Sequence, residues 1–183
     1  KNYYSQMYML ADLMENPQDR NLILSFAQSG TEGEKALHEM LIGKYSINTE
    51  VKASEVTAAY NAHICKGIST GNPCIALASV LPCMWIYNQV GIHIFHNSKL
   101  EDNPYKEWIL EYGQEKFTEC VNKVLEMIDV WASKADGETL EQMDCHYLKA
   151  ALYEYAFWDY GYHADSKSYE DTESLDEWLL SRG

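Results

Sequence analysis

The chain has 183 residues, 46% of them hydrophobic, enough to bury a core without help from metals or disulfides. Its 28 acidic and 14 basic residues give a net charge of -14, which argues against nucleic acid and anionic membrane as partners, since both call for a basic face. Five cysteines, an odd number with no Cys-x-x-Cys pair, argue against a disulfide framework or a zinc site and point to a reducing cytoplasm.

Apolar positions recur at three to four residues, and few segments alternate, so the chain reads as all-α. Tyr3 to about Glu15 is predicted as a helix already running at Lys1, with Met7, Leu10, Ala11 and Met14 as its apolar stripe. A second helix restarts at Asn16-Pro17, with Asn as cap and Pro in the first turn. It runs towards Gly43, with Ser29-Gly30 as a point of bending. Lys44 to Lys52 is read as a loop. Ser54-x-x-Thr57 caps a helix through about Thr70, with Ala58, Ala59, Ile64 and Ile68 inward. Gly71-Asn72-Pro73 stops it and starts the next.

The helix from Pro73 to about Phe95 is apolar nearly all round, which marks it as central. Its longest apolar run, Cys74 to Tyr87, is 14 residues, short of a bilayer span. No signal peptide is visible in the sequence. Pro82 removes one backbone hydrogen bond just before Cys83. A short helix from Asn103-Pro104 to Gly113, another from Glu115 to Lys134, and a long one from about Thr139 to Tyr162 follow. The acidic tail is predicted to close with a short helix over Leu175 to Leu180.

Three groups could carry chemistry. Cys83 and Tyr87 are one turn apart on one helix face. A buried cysteine most often acts as a small hydrophobe, and reactivity needs special surroundings. Glu154 falls on the apolar stripe of its helix, beside Tyr147, Ala150, Ala151, Phe157, Trp158 and Gly161. A carboxylate there is either a structural group bonded to a tyrosine or an acid held near neutral pH by burial. Glu34 and His38 are four apart and could join His63, His93 or His96 around a metal, but a second Glu-x-x-His copy is absent and no metal is expected.

Leu81-Pro82-Cys83-Met84-Trp85-Ile86-Tyr87 followed by Gly91, Asn103-Pro104-Tyr105-Lys106-Glu107-Trp108 through Gly113, and Tyr153-Glu154-Tyr155-Ala156-Phe157-Trp158 together resemble the TenA/thiaminase II family. Ala59-Tyr60-Asn61-Ala62-His63 precedes the cysteine at the family's distance. The resemblance implies a single helical domain over 1–183 with a haem-oxygenase-like bundle fold, assembled as a homotetramer. It implies hydrolysis of aminomethyl-pyrimidine, and of thiamine, to hydroxymethylpyrimidine for thiamine salvage, with no metal or organic cofactor. It makes Cys83 the nucleophile and Glu154 the acid on a ring nitrogen. Tyr60 and Tyr112 become hydrogen-bonding tyrosines, Tyr87 and Phe157 stacking aromatics, and Tyr3 a further pocket aromatic. The family's pocket aspartate would fall immediately before Lys1, and Asp12 is the nearest acid in the chain; either a further N-terminal helix carries it, which the mid-helix start and the missing Met favour, or this site has lost it. The rival readings are a non-catalytic pyrimidine-binding or regulatory protein, and a haem or di-iron oxygenase on the same bundle.

Overall fold

The computed structural model describes residues 2–163, all helix and short connections, with no strand among them. The predicted helix at Leu175 to Leu180 lies outside the described residues. In order the elements are α1 (Asn2–Asp12), α2 (Pro17–Tyr45), α3 (Glu55–Ser69), α4 (Pro73–Asn97), α5 (Lys106–Gly113), α6 (Glu115–Ala132) and α7 (Gly137–Tyr162).

Helix starts follow local capping chemistry. The side chains of Asn16, Ser54, Asn72 and Asp136 accept from the backbone N–H groups of Gln18, Thr57, Cys74 and Thr139, satisfying donors that the first turn leaves unpaired. Helix ends differ more from the sequence reading. α2 is unbroken through Ser29-Gly30 and passes Gly43, stopping where Ser46 turns left-handed at φ 51° and its N–H reaches the Ile42 carbonyl. α5 begins at Lys106, because the Asn103 side chain accepts from the Tyr105 N–H and holds that stretch as a turn.

α4 is the axis of the bundle. It packs against α1, α3, α5, α6 and α7. Residues Ile75 to Pro82 are buried without interruption. At 25 residues the helix is long and apolar enough to cross a membrane, more than its 14-residue apolar run suggests, yet 61% of its most apolar window is covered by neighbouring helices. The stripe Met7, Leu10, Ala11 and Met14 is buried as predicted. Two stripes are rotated from their predicted setting. In α3 Ala58 is exposed, and Val56 and Tyr60 face inward with Ile64 and Ile68. In α7 the buried line is Met143, Ala150, Tyr153, Glu154 and Ala156, while Phe157 and Gly161 stand at the exposed edge.

Gly91 sets how closely α5 approaches α4. A Cβ there would run into the Tyr112 backbone carbonyl, and one at Gly113 would lie 3.0 Å from the Gly91 carbonyl oxygen. Gly91→Ala therefore opposes two effects. Alanine raises helix propensity by about 1 kcal/mol, but overlap with backbone cannot be relieved by a rotamer change and costs about 1–3 kcal/mol. We expect a net loss of stability, read as a melting temperature lowered by several degrees in circular dichroism; an unchanged or raised melt would contradict this packing.

Candidate active site

Beside the middle of α4 lies a cavity of about 220 Å³, and all seven helices supply its walls. Cys83 and Tyr87 face it from α4, as their one-turn spacing predicts. Tyr3 of α1, Tyr60 of α3, Tyr112 of α5, and Glu154 and Phe157 of α7 line the same space. Thus the seven residues singled out from the sequence, scattered over most of the chain, meet around one cavity.

Glu154 is only 2% exposed, deep among apolar groups. Burial pushes its carboxyl above the ordinary range, because the charged form loses its water; the neighbouring Cys83 thiol, Tyr60 hydroxyl and Trp158 indole N–H act in the opposite direction. These donors stand near the carboxyl without a fully formed hydrogen bond: Glu154 Oε2, the Tyr60 hydroxyl and Trp158 Nε1 are all buried and unpaired in strict geometry. Buried polar atoms rarely go unmatched, so this cluster is poised for a polar guest.

Cys83 is partly buried. Burial raises its thiol well above the ordinary range; the Glu154 carboxyl adds to the rise, as does Glu34, while the Tyr3 hydroxyl opposes it. Cys83 therefore rests as a thiol, and its activation requires a proton acceptor at hand. The Glu154 carboxyl is the acid group beside the thiol. The Tyr3 hydroxyl donates to the Val80 carbonyl at 3.2 Å, which fixes its ring beside the sulfur.

The aromatic wall is layered. The Tyr60 ring stacks on Tyr153 at 5.6 Å with 20° between planes. Tyr87 packs at 5.1 Å against both Tyr112 and Trp158. Phe157 is 37% exposed, at the rim. The Tyr112 hydroxyl donates to Glu34 Oε1 at 3.0 Å.

Glu34 was missed as a pocket residue. It lines the cavity, and no basic side chain lines it with it. A signal was present: Phe26, Gly30, Glu34 and Leu37 recur at helical spacing, so Glu34 lies on the apolar side of α2, as Glu154 lies on that of α7. Tyr4, also in the lining, was missed likewise, as was Trp158, whose indole stands behind the lining beside Glu154. The proposed metal partners do not gather: His38, His93 and His96 are exposed, and His63 stacks on His146 at 5.0 Å. Among the described residues no group of three or more potential ligands forms.

Comparison with known proteins gives the same frame. The chain is 29% identical to the aminopyrimidine aminohydrolase of Bacillus subtilis (strain 168) over 163 residues, covering 86% of this chain and 68% of that one. It is 24% identical to the aminopyrimidine aminohydrolase of Halalkalibacterium halodurans over 166 residues, 87% of this chain and 74% of the other. The thiamine biosynthesis multifunctional protein ThiED of Corynebacterium glutamicum is 27% identical over 82% of this chain, which spans 20% of that longer protein. In fold, the TenA homologue protein from P. horikoshii OT3 superposes with a TM-score of 0.72 at 20% identity, over 87% of this chain and 75% of that one. The architecture is the haem-oxygenase-like helical bundle. Residues 3–164 match the model of the TENA/THI-4/PQQC family, and the chain belongs to that family.

Proposed function

We propose that this protein is a hydrolase of aminopyrimidines in thiamine metabolism, acting at the methylene carbon of an aminomethyl-pyrimidine or of thiamine itself. The observation that carries the reading is one small cavity holding a thiol, a buried carboxyl and an aromatic wall, with no basic side chain in its lining. A flat, weakly basic heterocycle fits such a site. Its ring can stack on Tyr87 and Phe157, and its ring nitrogen can take a proton from Glu154.

In the proposed cycle the Cys83 proton passes to Glu154 and on to a ring nitrogen as the sulfur bonds to the adjacent ring carbon. The ring loses its aromaticity. Electrons from the ring and its amino group then expel the amine or thiazole from the methylene carbon, leaving an exocyclic C=C. Water adds at that carbon, and the proton it gives up passes to the departed amine or, with thiamine, to solvent. The C–S bond breaks, and sulfur recovers its proton through Glu154 as the ring nitrogen releases it. Tyr60 and Tyr112 hold the polar geometry around this exchange, and Tyr3 orders the sulfur's surroundings. The reading carries with it a homotetramer working in the cytoplasm with no metal or organic cofactor.

Product analysis tests it. Incubated with aminomethyl-pyrimidine and separately with thiamine, the protein is expected to yield hydroxymethylpyrimidine from at least one. Tight binding of both with no product above the uncatalysed background would favour the non-catalytic alternative.

A further inference from the structure

Two carboxyl groups line the cavity, yet the proposed cycle uses one. Glu34 reaches in from α2, where the Tyr112 hydroxyl donates to Oε1 at 3.0 Å and the Tyr4 hydroxyl stands close by as a second neutral donor. None of the ion pairs among the described residues includes it. Beyond it lies an open groove of about 770 Å³ between α2 and the α5–α6 segment. Groove and cavity share Tyr4, Phe26, Glu34, Tyr112 and Phe117, so Glu34 sits in the partition between solvent and Cys83.

The packing maintains this placement. The Tyr4 ring lies against Gly30, one turn before Glu34, where a Cβ would collide with it. Across the groove, Glu111 Oε1 comes within 2.6 Å of where a Cβ would stand on Gly33. Side-chain-free positions on α2 thus let two acids converge at the mouth, and only one of them, Glu34, reaches the inner cavity.

A carboxylate met only by neutral phenol donors, in an aromatic cavity with no basic side chain in its lining, has acceptor capacity left for a positive ligand group. Resting on the aminopyrimidine reading above, we propose that Glu34 binds the protonated exocyclic amine of the substrate and so selects the ammonium form. An alkyl amine is mostly protonated at neutral pH, so the substrate arrives with the charge this site lacks. Glu154 then serves the ring and Glu34 the side chain, two carboxyls assigned to two ends of one molecule. The hydroxymethyl product carries no such charge and loses this contact, which favours its release.

The test compares two ligands by calorimetry: aminomethyl-pyrimidine, which is cationic, and hydroxymethylpyrimidine, which is neutral at that position. In Glu34→Gln the amide oxygen can still accept from Tyr112, so the wall is kept while the charge is removed. We expect affinity for the aminomethyl ligand to fall about tenfold or more, the scale of one charge-assisted hydrogen bond, with affinity for the neutral ligand within about twofold of the parent. Preserved binding of the neutral ligand also reports a folded pocket. Glu34→Asp, which keeps the charge, should recover part of the preference. Equal losses for both ligands, or no loss for either, would overturn the assignment. Failure of the parent protein to bind either pyrimidine would instead overturn the reading on which it rests.

Discussion

Cys83→Ser is expected to reduce turnover of aminomethyl-pyrimidine by about a thousandfold or more, the scale seen when a covalent nucleophile is lost. The substitution changes one atom, keeps a hydrogen-bonding hydroxyl beside Glu154, and sits on a cavity wall rather than in the packed core, so helix content and pyrimidine binding should remain close to the parent. The loss comes from chemistry. A hydroxyl is a far weaker acid than a thiol, and the surroundings of Cys83 already resist ionisation through burial and the adjacent carboxyl. A group that needs help to lose its proton as a thiol will not lose it as an alcohol. Single-turnover assays with the intact protein check this, and parental rates in Cys83→Ser would remove the covalent step.

Glu154→Gln is expected to lower kcat about a hundred- to ten-thousandfold, the range of general acid–base catalysis, while ligand affinity changes little. Glutamine preserves shape and can still meet the Tyr60 hydroxyl and the Trp158 N–H, but it cannot carry a proton from sulfur to ring nitrogen. The variant has a second signature. Burial raises the Glu154 carboxyl in the folded protein, so between the ordinary carboxyl range and that raised value the folded state binds a proton that the unfolded state has lost. Stability contributed by that proton is present at low pH and falls as pH rises through this window. Glutamine has no proton to lose, so the melting temperature of the variant relative to the parent should climb over the same window. A kcat equal to the parent's would exclude Glu154 from the mechanism, and a flat difference in melting would contradict its burial.

The parts of this structure legible in the sequence are those set by near neighbours. Asn16-Pro17, Ser54-x-x-Thr57 and Asn72-Pro73 fix helix starts because a cap needs only residues two or three positions away. Helix ends were less legible: Gly43 is a plausible stop, yet nothing lies near it and α2 simply continues to Tyr45. The short motifs pointed to Cys83, Glu154, Tyr87 and Tyr112, since each motif is a continuous stretch of chain. Glu34 could not be weighed the same way. Four residues from His38 it was weighed only as a metal ligand, and it meets the Tyr112 hydroxyl, which only the folding of α2 against α5 supplies. The same holds for Trp158, whose contact with Tyr87 depends on the setting of α7 against α4.

The phenols around Cys83 determine how the site exchanges protons with its surroundings. Tyr3, Tyr4, Tyr60, Tyr87 and Tyr112 all hold their protons far above the ordinary range, chiefly because burial disfavours the phenolate. Through neutral pH they are fixed dipoles that orient without titrating. No histidine, lysine or arginine lines the inner wall, so Glu34, which also borders the outer groove, is the lining's acidic link towards solvent. In the proposed cycle a proton lent to the ring through the thiol and the buried carboxyl in one half returns by the same path in the other. In each turnover of that cycle the one proton that leaves the pocket is the one given up by water.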